Sequence, residues 1–288
     1  MKRVVYTCLF GYSELFNDFE YQRDGADFIC FTDDPELRSD FWKIELVPRD
    51  TLDPARQAKK IKALPHVWLP QYDCSVYLDN VIRLKVAPRR LFEEFLLPAK
   101  SPLVCFRHNE RNCVYDEAKV VLALDLDTPE RVNAQMALYR SLDYPAKNGL
   151  GLSGLLLRRH HDAALQRAMN TWADHILAWS RRDQLSMLPC CWLENLQPGY
   201  IPLKFDDYEL LEWPVVRNRL RLPRDFDEAL YLELNPDLAN LGMDLRKHYL
   251  LFGLNEYRKY RRLDLMDITS KPLQVVRRLK QRSFLRNM

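Results

Sequence analysis

Ser75-Val76-Tyr77-Leu78-Asp79-Asn80 reads as a short buried strand that stops on an acid and an amide. In open α/β sheets, ligands gather outside the carboxyl ends of the strands. A carboxylate placed there can hold Mg²⁺ or Mn²⁺ against a diphosphate, because hard cations take oxygen ligands. The plainer alternative is a turn made by Asp79 with help from Asn80. Working outward, residues 4–10 form a continuous apolar run of buried-strand length, and Phe28-Ile29-Cys30-Phe31-Thr32 forms another. Residues 42–47 alternate with period two, like a half-exposed strand. Asp53-Pro54 predicts a helix start, with Asp as N-cap and Pro at the first helical position, running to about Leu64. Downstream, residues 88–96 read as a helix and Leu103-Val104-Cys105-Phe106 as a strand. This alternation predicts an α/β fold, a mixed sheet flanked by helices.

The middle of the chain is more helical. Asp127 with Glu130 three residues on reads as a capping box for a helix to about Leu142. Leu155-Leu156-Leu157 reads as a buried strand, followed by helices over 162–179 and from about Asp183. Proline and charge across 213–224 suggest a linker. Residues 225–262 read as two or three short helices with Leu and Tyr anchors. The expected organisation is a catalytic-size α/β domain over 1–222, a small helical module over 223–262 and a basic tail over 263–288.

Composition excludes several classes. The chain has 288 residues, 47% hydrophobic and 29% charged, which is globular rather than collagenous or disordered. Eight glycines argue against a Gly-rich phosphate loop. The seven cysteines form no C-x-x-C pair and sit in apolar runs, so free thiols in a reducing compartment are expected. No apolar run reaches the roughly 18–20 residues that span a bilayer, and the short run after Met1-Lys2-Arg3 lacks the features of a signal peptide. A cytoplasmic chain is the expectation. Net charge is +3, yet residues 257–288 hold ten Lys or Arg and two Asp, leaving 33 basic against 38 acidic residues elsewhere. The mildly acidic body excludes a general nucleic-acid binder.

Several groups could carry chemistry. Asp33 and Asp34 follow a buried strand and could accept hydrogen bonds from a base or ribose, or simply form an Asx turn. Arg56, Lys59, Lys60 and Lys62 precede the Asp79 strand and could meet phosphates, or form a solvated helix face. His108, Arg111, Cys113, Tyr115 and Glu117 follow the strand ending at Phe106. They suit an acceptor pocket, or a surface loop entering a helix. Of the adjacent His160 and His161, at most one would coordinate a metal. Asp183 is either a helix N-cap or a carboxylate facing the reaction centre.

Each signal is short, but their order is specific. Tyr6-Thr7 leads to Phe10-Gly11-Tyr12, then come Cys30-Phe31-Thr32-Asp33-Asp34, Lys62-Ala63-Leu64-Pro65-His66, and Tyr72-Asp73 before Tyr77-Leu78-Asp79-Asn80. Phe106-Arg107-His108, Arg111-Asn112-Cys113-Val114-Tyr115-Asp116-Glu117-Ala118, Gln135-Met136 and Tyr139 follow. Tyr144-Pro145, Gly149-Leu150, Arg158-Arg159-His160 and Arg182-Asp183-Gln184-Leu185-Ser186 complete the set. Over about residues 3–205 the chain resembles a glycosyltransferase family known chiefly from bacterial cell-surface polysaccharide loci and from plants, long carried under an uncharacterised-domain label. Residues 226–237, with His248-Tyr249 and 253–258, resemble a helical module found at the ends of bacterial polysaccharide glycosyltransferases.

The resemblance implies a GT-A-like (Rossmann-like) fold, a nucleotide-sugar donor, a glycan or lipid-linked acceptor, and Mn²⁺ or Mg²⁺. Asp79 matches the family's metal-binding strand-end acid, with His160 expected to complete the metal shell. Thr7, Phe10 and Asp33 would line the nucleotide slot, Lys59 or Lys62 would face phosphate, and Asp183 would deprotonate the acceptor. His108, Arg111 and Glu117 would form the acceptor pocket. Two departures stand out: Asn80 replaces the second acid of the usual pair, and Leu152 stands where the family often has Glu. They keep open a non-catalytic glycan-binding or scaffold protein; the competing enzyme class is a metal-dependent hydrolase on the same scaffold, with water replacing the sugar acceptor. The basic, partly apolar tail suits peripheral contact with an anionic membrane at its inner face.

Overall fold

Buried apolar strands of the kind read from the sequence assemble into one twisted sheet. A computed structural model describes residues 1–11, 16–51, 53–207, 209–215, 222, 226–239, 242, 244–249 and 258–260. The basic tail over 263–288 lies outside the described residues. The chain divides into two compact units, Met1–Arg219 and Leu220–Met288.

In the first unit, the strands are β1 (Arg3–Leu9), β2 (Ala26–Thr32), β3 (Lys43–Leu46), β4 (Cys74–Leu78), β5 (Arg83–Leu84), β6 (Leu103–Arg107), β7 (Gly151–Arg159), β8 (Gly199–Tyr200) and β9 (Leu211–Glu212). Seven of them make a sheet in the order β3-β2-β1-β4-β7-β6-β8, and β5 pairs with β9 apart from it. β1 is parallel to both β2 and β4, with Tyr6 opposite Ile29 on one side and Tyr77 on the other. β7 runs antiparallel to β4 and to β6. The carboxyl ends of β1, β2, β4 and β6 therefore share one edge with the beginning of β7.

Both faces of the sheet are covered, which is why its central strands are apolar throughout rather than alternating. Val4, Tyr6 and Cys8 pack toward α1 (Pro54–Ala63), α6 (Ala163–Ala178) and α7 (Gln184–Leu193), burying Ile61, Trp172 and Met187. Val5, Leu9 and Val76 face Leu91, Phe92 and Leu96, which belong to widened π-type turns continuing α3 (Pro88–Arg90). α2 (Pro65–Trp68) follows α1 directly, while α4 (Val114–Ala123) and α5 (Pro129–Ser141) share a smaller core around Val121, Val132 and Tyr139. The second unit has α8 (Glu228–Leu234), a 3₁₀ turn Pro236–Leu238 and α9 (Leu245–His248) around Tyr231, Leu238 and Tyr249.

The mixed sheet flanked by helices, with a distinct helical C-terminal region, is the expected Rossmann/GT-A-like arrangement. Asp53 caps α1 as predicted, accepting from Ala55 N at 2.9 Å. Asp127 does not form the predicted capping box. Thr128 holds the N-cap position of α5, and the Asp127 carboxylate accepts instead from Thr128 N, Ser180 Oγ and Arg181 N. β7 begins four residues before the predicted Leu155–Leu157 run, its first residues Gly151 and Leu152 pairing with Arg107 and Phe106 of β6. All seven cysteines are free and buried. Among the described residues, no helix is long and apolar enough to cross a membrane.

Candidate functional site

The basic run on α1 divides by function. Arg56 reaches the C-terminus of α6, donating to Ile176 O, to Leu177 O at 3.2 Å and to Trp179 O at 2.7 Å, where a helix end needs donors. Lys60 pairs with Asp50. Lys59 and Lys62, three apart and hence on one helical face, point instead to the carboxyl edge of the sheet.

There Lys62 Nζ lies 2.7 Å from Asp183 Oδ2 and 3.2 Å from Asp79 Oδ1. Lys59 Nζ lies 3.3 Å from Asp183 Oδ1 and donates to Arg181 O at 2.5 Å. Tyr77, two residues before Asp79 and so on the same strand face, donates its hydroxyl to Asp79 Oδ1 at 2.9 Å. Burial, then Asp79, raises the Tyr77 pKa well above the phenol value, which keeps that proton in place. Burial opposes the Lys62 charge, but Asp183 and Asp79 outweigh it and the pKa rises. Lys59 is lowered, with burial dominant over the opposing pull of Asp183.

A bulge in β7 completes the cluster. Cys105 pairs with Leu156 but the next residue, Phe106, pairs with Leu152, so Ser153, Gly154 and Leu155 are surplus on β7. Bulges re-aim side chains. Here Ser153 donates to Asp183 Oδ2 at 3.0 Å, and Gly154 O accepts from Asp79 N at 2.8 Å. A Cβ on Gly154 would lie 3.2 Å from Asp79 Oδ2, so the glycine lets the two strands close together.

On the opposite face of the same edge, Thr7, Phe16, Asn17, Tyr21, Trp42 and Ile82 line a narrow recess of about 10 Å³ that reaches Asp79 and Asn80. Thr7 is buried and its Oγ1 has no partner among the described residues. Asn80 is committed: its Oδ1 accepts from Asn17 N at 2.9 Å and its backbone oxygen from Asn17 Nδ2 at 2.5 Å.

A second polar cluster ends β6, two strands from β4 and hence about 10 Å away along the edge. Arg111 Nε donates to Glu117 Oε2 at 2.6 Å, and Arg111 lies 2.9 Å from His108 Nε2. His108 Nδ1 accepts from the backbone N–H groups of Glu110 and Arg111, both at 3.1 Å. Burial and Arg111 lower the His108 pKa, consistent with a neutral, accepting imidazole.

Four expected roles are corrected. His160 follows the far end of β7, where Arg159 pairs with Cys74, the first residue of β4; it is at the opposite edge from Asp79 and cannot share a metal with it. Its Nδ1 lies 3.3 Å from Leu69 O, and the residue is fully buried. Asp183 does not suit a general base. Burial would raise its pKa, but Lys59 and Lys62 hold it far below the carboxylate range, leaving little affinity for an acceptor proton. Its side chain makes no cap bond either. Asp33 spends one oxygen on Gly11 N (3.0 Å) and the other on Arg49 (2.9 Å), so both of its oxygens are engaged within the protein rather than held open for a nucleotide. Phe10 packs into the core cluster of the α1 face, away from the Thr7 recess.

The expected Mn²⁺ or Mg²⁺ finds few protein ligands. Asp79 Oδ1 is occupied by Tyr77 and Lys62, Asn80 Oδ1 by Asn17, and among the described residues no group of three His, Cys, Asp or Glu side chains could hold a metal ion. The described residues do not form a metal site of their own. Leu152, at the position expected to depart from Glu, packs against the apolar cluster that includes Phe106 and Phe205.

Sequence reasoning missed Tyr77 and Ser153 as site builders. Tyr77 was available from period-two spacing to Asp79. Ser153 was not, since only the bulge turns it inward.

The family model described as TOD1/MUCI70, glycosyltransferase-like domain matches residues 30–195, a stretch that contains Lys59, Lys62, Asp79, Ser153 and Asp183. No curated protein matches the chain. A solved structure described as the apo form of the WbbM bifunctional glycosyltransferase matches with a TM-score of 0.40 and 9% sequence identity, covering 62% of this chain and 33% of that one. This chain thus spans about a third of that protein's length.

Proposed function

The chain belongs to the TOD1/MUCI70 glycosyltransferase-like domain family, and from that premise we propose that it transfers a sugar from a nucleotide-sugar donor to a glycan or lipid-linked acceptor. The observation that carries this reading is the Lys59–Lys62–Asp79–Asp183 cluster beside the Thr7 recess, at the edge where parallel strands β1 and β4 end. Donor diphosphate would lie along this edge. Lys59, the less buried of the two lysines, supplies positive charge as the leaving diphosphate develops its own. The narrow recess lined by Tyr21 and Trp42 would have to widen to admit a nucleobase, whose polar edge Thr7 Oγ1 could then meet as donor or acceptor. The Arg111–Glu117–His108 cluster, farther along the edge, is the acceptor side. Glycan assembly at the bacterial cell surface is the setting this activity fits.

A thermal-shift screen with UDP, GDP, CDP and their sugars tests the reading, since a ligand of the native state raises its apparent stability. At least one nucleotide should raise the melting temperature, and Thr7→Val should weaken that effect. If no nucleoside diphosphate or nucleotide sugar shifts the transition, the donor-site reading is wrong. If a nucleotide binds but no sugar is ever transferred, the chain is a binding protein on this scaffold.

A further inference from the structure

Lys62 is fixed at both ends. Its backbone carbonyl accepts from Arg158 at 2.6 Å and from Tyr6 Oη at 2.8 Å, and these two donors are themselves joined at 2.5 Å. Its ammonium lies between carboxylates from two different elements, Asp79 at the end of β4 and Asp183 at the start of α7, and 4.7 Å from the Tyr77 ring centroid. The side chain is 1% exposed. A cation bridging two carboxylates at a strand end is the position a divalent ion would take. With Lys59 and Lys62 facing Asp79 and Asp183, the four formal charges cancel. The cluster therefore lacks the surplus negative charge that draws in a divalent cation, and an ion on Asp79 would sit beside two ammonium groups.

We propose that Lys62 is the resident cation of this site, neutralising Asp79 from behind so that a nucleoside diphosphate binds along the edge without a divalent metal. The inference rests on the donor-site reading above. Lys62 itself acts as a positioning residue: it cancels the charge that a bare Asp79 would set against phosphate, while Lys59, 19% exposed, is the nearer ammonium to the ligand. The replacement of a second acid by Asn80, locked by Asn17, fits the same economy of negative charge.

Isothermal titration of UDP, GDP, CDP and ADP into the full chain, in EDTA and in Mn²⁺, decides the matter. The expected result is one or more nucleotides binding wild type with the same affinity in both buffers. Lys62→Met should lose on the order of tenfold or more in EDTA, as expected when one partner of a buried ion pair is removed, and recover it in Mn²⁺, which can enter between the carboxylates that have lost their ammonium partner. The paramagnetic resonance signal of free Mn²⁺, recorded without nucleotide, should be undiminished by wild type and diminished by Lys62→Met. Wild-type binding that appears only with Mn²⁺ overturns the proposal while leaving the donor site standing. Undiminished binding by Lys62→Met in EDTA also overturns it. If none of the four nucleotides binds in either buffer, the donor-site reading itself fails and the proposal with it. Should Lys62→Met not fold, the wild-type comparison and its Mn²⁺ spectrum decide alone.

Discussion

Asp183 sets one carboxylate against two ammonium groups and a serine hydroxyl, nearly all of it out of water. Removing such a charge leaves Lys62 buried with half its compensation. Asp183→Asn should therefore cost about 3 kcal/mol in urea denaturation, whereas a helix cap would lose almost nothing in that change. A loss of a few tenths would show that the ion pairs of Asp183 contribute little to stability. His160 makes a pH prediction. Burial, then Arg158, lowers its pKa from 6.5 to about 3. The unfolded chain thus binds a proton that the native state refuses, and the group's contribution to stability is complete above about pH 6.5 and lost as pH falls toward 3. Wild type should lose about 1.4 kcal/mol per pH unit from this residue within that window. A folded His160→Gln variant should lack that share, and parallel slopes for the two proteins between pH 6 and pH 4 would refute the assignment. Asp79, Lys62 and Asp183 were all legible as candidate site residues. Their pairing was not, because 121 positions separate Lys62 from Asp183 and charge alone does not say which partner a lysine meets.

Helix starts were the clearest elements in the sequence. Asp53-Pro54 opens α1 as read, and Asp162 opens α6 by accepting from Ala164 N and Leu165 N, both at 2.9 Å. Asp162→Ala should cost about 1 kcal/mol of stability and leave nucleotide affinity unchanged, because α6 meets the site only through its core face; a change in affinity at constant stability would contradict that separation. The apolar strands were equally legible, since burial on both faces leaves a continuous hydrophobic run. β7 was not. Its opening Gly151-Leu152-Ser153-Gly154 has neither a run nor an alternation, because the bulge breaks the period. The Asp127 capping box misled for a related reason: Ser180 and Arg181, distant in sequence, compete for that carboxylate and win it.

At the scale of the whole molecule, strand order follows from three parallel neighbours β3-β2-β1 joined to β4, with β7 reversing direction beside it. Alternating strand and helix patterns made the α/β class legible, but not the reversal, which no local pattern encodes. The uneven charge carries a separate expectation for residues 263–288, outside the described part. The ten Lys or Arg of residues 257–288, each contributing about 1 kcal/mol near an anionic surface, should let the full chain co-sediment with phosphatidylserine vesicles at low salt. A chain ending at Thr269 should do so less, and equal sedimentation of both would exclude a membrane role for the tail. The bulge on β7 has its own consequence at this scale. Four steps of β7 match one of β6, so a codon lost or gained at Ser153 would fall where the β6–β7 ladder is already interrupted, leaving the Leu155–Arg159 register with β4 intact provided Gly154 keeps its bond to Asp79 N. Such an indel would exchange the side chain presented to Asp183, where Ser153 now donates, without shifting the paired half of the strand.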